Sequence, residues 1–231
     1  MTESPNWADF YNKEADLKDY NPENDSVEIH RCRAVWSVFP RAGVESLLDA
    51  GCGNGFFCHW ISRKVKLARV AGSDLSAKRM ALAKTRYPDL EFSAGDITKL
   101  PFPDRSFDVV TCIEVLEHLE DPLPALKELL RVARRYVVVT VPDRQKVRQL
   151  LCPHCGQTFP EYGHIQSFDR ARMEELARAA GGRVELSRLY FAPRGGRWGI
   201  PLWLGAIFVR ALQWLRPTRA TFLATRLVPE R

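Results

Sequence analysis

The stretch Leu47-Leu48-Asp49-Ala50-Gly51-Cys52-Gly53-Asn54-Gly55 constrains the fold of this chain more than any other. An apolar run that ends in three alternating glycines predicts a buried strand, a tight turn and a helix opening at Phe56. Glycine adopts backbone conformations that other residues resist and lets the backbone approach a ligand closely. The helix beyond the turn points its free amides and positive dipole end at whatever occupies it. The spacing is G-x-G-x-G, one residue short of the G-x-G-x-x-G of nicotinamide-binding folds.

Further apolar runs predict strands at Leu67 to Ser73, Leu90 to Ala94, Phe107 to Cys112 and Tyr136 to Val141. Two more are expected at Arg183 to Phe191 and Ala220 to Leu227. Between them lie helix patterns at Phe56 to Lys64, Ala77 to Arg86, Pro122 to about Ala133, and Phe168 to Ala180. Ser76 fits an N-cap and Pro88 a stop for the second of these. The alternation predicts an α/β fold, a doubly wound and mostly parallel sheet with right-handed crossovers. In such sheets ligands bind beyond the carboxyl ends of the strands. The glycine turn, Asp74, Asp96 and Cys112 all fall at such ends.

The 231 residues suit one α/β domain with insertions. No apolar run reaches the roughly 18 residues of a membrane span, and no secretory leader is evident, so a cytoplasmic location is expected. Charge is unevenly spread. Residues 1–30 hold eight acids against two lysines, whereas residues 194–231 hold seven arginines against Glu230. A basic tail suits an acidic lipid surface or simply a solvated face, and nucleic acid is the less favoured partner. Of the six cysteines only Cys152 and Cys155 are closely spaced, which argues against a disulfide framework.

Asp74 stands 19 residues beyond Gly55, where a carboxylate can accept hydrogen bonds from both hydroxyls of an adenosine ribose. Gly95-Asp96-Ile97 follows the third strand, and Phe107-Asp108-Val109-Val110 leads into Glu114-Val115-Leu116-Glu117-His118-Leu119. With the Leu-Asp-Ala-Gly-Cys-Gly-Asn-Gly turn, this set resembles the class I S-adenosylmethionine (SAM) dependent methyltransferases. Within them it is similar to the small-molecule branch that methylates quinones and related aromatic hydroxyls. The resemblance covers residues 46–141 well and 168–191 loosely. It implies a seven-stranded sheet whose last strand is antiparallel. It also implies that Asp49, Gly51 and Gly53 hold the methionine portion of SAM, and that Cys112 at the end of the fourth strand meets its ammonium. Asp74 would hold the ribose, Leu75 and Ile97 would cover the adenine, and Asp96 would accept from its amine.

Methyl transfer from a sulfonium is an in-line displacement, so alignment supplies much of the acceleration. A hydroxyl acceptor also profits from a base, and histidine has the right pKa range. His118, just past the fourth strand, is the first candidate, with capping or packing of a helix start in Leu-Glu-His-Leu as the alternative. His164 is the second, and Glu114 and Tyr11 are weaker. Cys152-Pro-His-Cys155-Gly has the form of a zinc knuckle, with His164 as an expected third ligand and His154, His30 or Cys32 as completions. Zinc there would be structural and would shape the loop after the fifth strand.

Residues 1–40 are expected to form a helical arm or lid carrying Phe10, Tyr11 and Tyr20, ahead of a domain over 41–231. That domain has insertions at about 142–168 and at 194–217. The second insertion contains an apolar, tryptophan-rich helix candidate over 199–215. With its flanking arginines it reads either as a lid over an apolar acceptor or, across 199–219, as a peripheral contact with the inner face of a membrane. The expectation is methyl transfer to oxygen of a small hydrophobic acceptor. RNA methylation and non-catalytic SAM binding are the alternatives.

Overall fold

A computed structural model of the protein describes residues 7–17, 26–190 and 222–230. Its strands are β1 (Ser46–Ala50), β2 (Arg69–Asp74), β3 (Glu91–Ala94), β4 (Phe107–Ile113), β5 (Ala133–Pro142), β6 (Gln149–Leu151), β7 (Thr158–Pro160), β8 (Gly182–Tyr190) and β9 (Phe222–Pro229). Seven of them form one sheet in the order β3-β2-β1-β4-β5-β9-β8. Strands β1 to β5 pair in parallel, and β9 runs antiparallel to both β5 and β8. This is the doubly wound methyltransferase-type sheet with its antiparallel last strand. β6 and β7 form a separate antiparallel hairpin.

Strand residues alternate between two faces, and the two faces carry two cores. Leu47, Val109 and Val138 face α2 (Ser26–Val38), α3 (Phe56–Ser62) and α4 (Ala77–Arg86). Leu48, Val110 and Val139 face α5 (Leu123–Val132) and α6 (Arg170–Ala179). Burial on both faces explains why these strands read as continuous apolar runs. Cys32, Ala34, Val35 and Val38 of α2 are all buried. Residues 1–40 are therefore not one arm, because α2 is a layer of the core. Among the described residues, α1 (Trp7–Leu17) lies apart from that layer, beside α4: Ser76 Oγ donates to Asn12 Oδ1 at 2.6 Å and the Arg79 guanidinium sits 4.8 Å from the Tyr11 ring centre.

β5 starts at Ala133, three residues before the expected Tyr136, because Phe107 of β4 pairs with Ala133 ahead of a bulge. The β6–β7 hairpin was not expected at all. Tyr20, the insertion at 194–217 and the 199–219 segment lie outside the described residues. Among the described residues no helix is long and apolar enough to cross a membrane.

Asp108 clamps the entry of β1 to that of β4. Its Oδ2 accepts from Glu45 N (3.0 Å), Ser46 N (3.0 Å) and Ser46 Oγ (2.9 Å), and its Oδ1 accepts from Arg134 at 2.8 Å. Burial opposes the charge, but these donors and the guanidinium outweigh it and hold the carboxyl below its ordinary range. A depressed folded-state pKa contributes stability above the unfolded value, and that contribution is lost as pH falls through the folded value. Asp108→Asn is expected to cost about 1–3 kcal/mol at neutral pH. The gap to the parent chain should close below about pH 4, as denaturant midpoints across pH would reveal.

Candidate active site

Gly51, Gly53 and Gly55 take φ values of +82°, +54° and +76°, the left-handed region that glycine enters without strain. Gly51 N and Cys52 N donate to the Ser73 carbonyl at 2.7 and 3.0 Å, which ties the turn to the end of β2. A Cβ built on Gly51 would meet Val115 Cγ2 at 2.5 Å, so the segment after β4 lies directly on the turn. Among the described residues, a Cβ built on Gly53 would meet nothing within 4 Å. The turn therefore opens onto unfilled space at the carboxyl ends of the strands, a place where a ligand can reach the backbone.

Two acids border this space. Asp74 is 7% exposed; its Oδ2 accepts from Gly53 N and its Oδ1 from Ser76 N, both at 2.9 Å. A carboxylate oxygen has two lone pairs, so both atoms can still receive ribose hydroxyls while holding the turn in place. Asp49 is 2% exposed and accepts from Thr111 Oγ1 at 2.7 Å. Burial, reinforced by Asp74 and Glu28 and opposed by Thr111, raises its pKa to about 7. A cationic group beside it would restore its charge, which suits the ammonium or sulfonium of SAM.

The remaining expected cofactor residues divide. Leu75 is exposed and available to an adenine face. Asp96 is exposed and accepts from Thr98 N and Thr98 Oγ1 on Oδ1, which leaves Oδ2 for an amine. Ile97 is 8% exposed and packed into the core, so its side chain is more a floor than a cover. Cys112 needs correction: its thiol is fully buried in the α5–α6 core. The alternation of β4 turns the neighbouring Thr111 to Asp49 instead.

A second group stands just past β4. Glu114 has φ +54°, a strained value for a residue with a Cβ. Burial raises its pKa to about 7, against the pull of Arg31. Glu117 is 1% exposed, with both carboxylate oxygens buried and without a hydrogen-bond partner. Burial, then Glu114, pushes its pKa well up. His118 lies within a short 3-10 turn, and its Nδ1 donates to the Gly163 carbonyl at 3.1 Å. Tyr162 and Gly163 both take left-handed φ values, which folds this loop back so that His164 meets His118 edge to face, ring centres 4.8 Å apart. Ile165 N donates to the Glu117 carbonyl at 3.0 Å and Gln166 to that of Leu119, pinning the loop after β5 to the segment after β4.

His164 therefore does not join the cysteines. Among the described residues it groups with Glu117 and His118, while Cys152 and Cys155 occupy the turn of the β6–β7 hairpin. The backbone amides of Cys155 and His154 lower the pKa of the Cys152 thiol, as a knuckle requires. Two thiolates do not close a structural zinc site, which needs four ligands. Of the suggested completions, His154 lies exposed in the hairpin turn itself, His30 contacts the Tyr190 hydroxyl at 3.3 Å, and Cys32 is buried within α2. Glu117 was missed as a site residue; its one signal in the sequence was a carboxylate inside the apolar Val-Leu-Glu-His-Leu run.

Residues 48–139 match the family model for a methyltransferase domain. A Mycolicibacterium smegmatis protein named as an S-adenosylmethionine-dependent methyltransferase is 31% identical over 145 residues, 63% of this chain and 54% of that protein. A demethylmenaquinone methyltransferase of Thermotoga maritima is 36% identical over 91 residues, 39% of this chain and 40% of that protein. The chain spans about half the length of the curated relatives it matches. Among solved structures, a chain from a Haloferax volcanii complex of a methyltransferase with its activator is 18% identical, with a TM-score of 0.69 and full coverage of both chains. That likeness concerns the fold. The glycine turn, its two acids and the matched sequence agree, and residues 48–139 are similar to a methyltransferase domain.

Proposed function

We propose that the protein transfers the methyl group of SAM to an oxygen of a small hydrophobic acceptor of quinone-like or lipid-like character. The observation that carries this reading is that the segment after β4 lies on the glycine turn through Val115 and, two to three residues on, brings Glu117 and His118 together with His164. When bound, SAM supplies an activated methyl carbon. The residues of this chain have three tasks: Asp74 and Gly53 orient the ribose, Asp49 balances positive charge, and the Glu-His-His group receives the acceptor and removes its hydroxyl proton. Alignment and proton removal are the two contributions such a displacement needs from a protein. The similarity to relatives named demethylmenaquinone methyltransferases supports a quinone-like acceptor. The α1 helix, held to Ser76 two residues beyond Asp74, is read as a cover of the site. Through 199–219 the protein would collect its acceptor at a membrane surface.

The test is transfer of labelled methyl from SAM into fractions of a cell extract. Label in the apolar fraction, with release of S-adenosylhomocysteine, is the expected result. Label in RNA, or SAM binding without turnover on any fraction, would overturn the acceptor assignment.

A further inference from the structure

We propose that Cys152 and Cys155 are half of a zinc site, completed by the same two thiolates of a second copy of this chain. One Zn2+ would then join two protomers through four sulfurs. The thiols stand in the turn of the β6–β7 hairpin, just beyond the cross-strand pair of Leu151 and Thr158. Cys152 is partly exposed and Cys155 exposed. Gly156 takes φ +69° and its N donates to the Cys152 carbonyl at 2.9 Å. Cys152 N donates in turn to the Gln157 carbonyl at 2.8 Å. This closure aims the amides of His154 and Cys155 at the Cys152 sulfur and brings the Cys155 thiol within hydrogen-bonding reach of it. Two sulfurs that close suit a single ion. Structural Zn2+ takes Cys-x-x-Cys pairs of this kind and closes tetrahedrally with four ligands.

The chain brings no second pair of thiol or imidazole ligands to this turn. Among the described residues no histidine or carboxylate joins the two thiols in a group of three. Cys32, Cys52, Cys58 and Cys112 are buried in the two cores. His30 meets Tyr190, His59 stacks on Tyr87 with ring centres 4.5 Å apart, and His118 and His164 meet each other. The stretches outside the described residues contain no cysteine and no histidine. His154, between the two cysteines, would give at most a third ligand.

A second copy supplies the missing pair, and a two-fold axis through the ion makes the contact self-complementary. The hairpin suits such a contact. Residues 149–160 contain no Asp, Glu, Lys or Arg, so two hairpins meet without like charges. Leu150 and Phe159, a cross-strand pair, are both exposed, and Leu151 is 67% exposed. A two-stranded hairpin is marginal by itself in water. Among the described residues this one pairs with no third strand. Its counterpart would cover these apolar side chains and support both hairpins.

Four Zn–S bonds form and each thiol gives its proton to the buffer, with no change of oxidation state. The site does not depend on the proposed methyl transfer. The experiment uses the full chain, kept reduced with a phosphine and stripped of metal by a chelator that is then removed. Titration with Zn2+, followed by light scattering, should convert monomer to dimer at one ion per two chains, and renewed chelation should reverse it. Co2+ in place of Zn2+ should show thiolate-to-cobalt charge transfer with the visible bands of a tetrahedral ion. The thiolate signature distinguishes the hairpin from histidine or carboxylate sites elsewhere in the chain. Cys152→Ser and Cys155→Ser should each abolish the dimer and the charge-transfer band while SAM affinity is retained. Both cysteines lie outside the two cores, so the variants should unfold at the parent's temperature. Absence of the thiolate–cobalt signature, or the same signature from a monomer, would overturn the proposal. So would a dimer that persists after chelation or in either serine variant.

Discussion

Asp74→Ala is expected to lower SAM affinity by about 100-fold or more while leaving the chain folded. The carboxylate can accept two ribose hydroxyls, and a hydrogen bond to a charged group contributes about 1.5–3 kcal/mol. Two such bonds at the low end amount to about 3 kcal/mol, or about two decades in dissociation constant. The substitution also frees Gly53 N and Ser76 N, which Asp74 now holds at 2.9 Å. The turn should loosen, adding to the loss. Isothermal titration with SAM, alongside thermal unfolding of the ligand-free chain, separates the two contributions. Unchanged affinity would remove the ribose assignment and with it the orientation of the donor.

Phe107→Ala should produce the largest loss of stability, about 3–5 kcal/mol. Phe107 is completely buried at the start of β4. Its ring meets Phe102 edge to face at 5.2 Å, and the Arg69 guanidinium lies 4.5 Å from its centre. Removing the ring leaves a cavity between the sheet and α5, where close-packed neighbours relax only partly. For a chain of this size the loss corresponds to a fall of about 10 °C in Tm. Phe107 is at the amino end of β4, away from the glycine turn. SAM affinity of the folded variant should therefore stay close to that of the parent chain. A fall in SAM affinity as large as that of Asp74→Ala would mean that the two ends of the sheet are coupled.

Much of the fold was legible along the chain, for a local reason. Buried parallel strands are short apolar runs, and the turns between them need glycine or a capping residue, as at Gly51, Gly53, Gly55 and Ser76. Asp74 and Asp49 were legible as well, because each sits at a fixed offset from that turn. What failed were inferences that depended on side-chain direction or on distant partners. Cys112 was assigned to the ligand from its place at a strand end, yet strand alternation turned it inward and presented Thr111. His164 was assigned to the cysteines because it follows Cys155 by nine residues. Two successive left-handed residues, Tyr162 and Gly163, carry it instead to His118. The β6–β7 hairpin escaped because its three-residue strands are mostly exposed and carry no apolar alternation.

By itself, the sequence determined the strand order's raw material, the glycine turn and the acids beside it. These are properties of contiguous residues, set by backbone conformation and by burial on both faces of each strand. Only the tertiary structure decided which side chains of the segments after β4 and β5 come together. Closure of the loop after β5 onto the segment after β4 places Glu117, His118 and His164 in one group. No spacing along the chain encodes a contact that hydrogen bonds between two separate segments create.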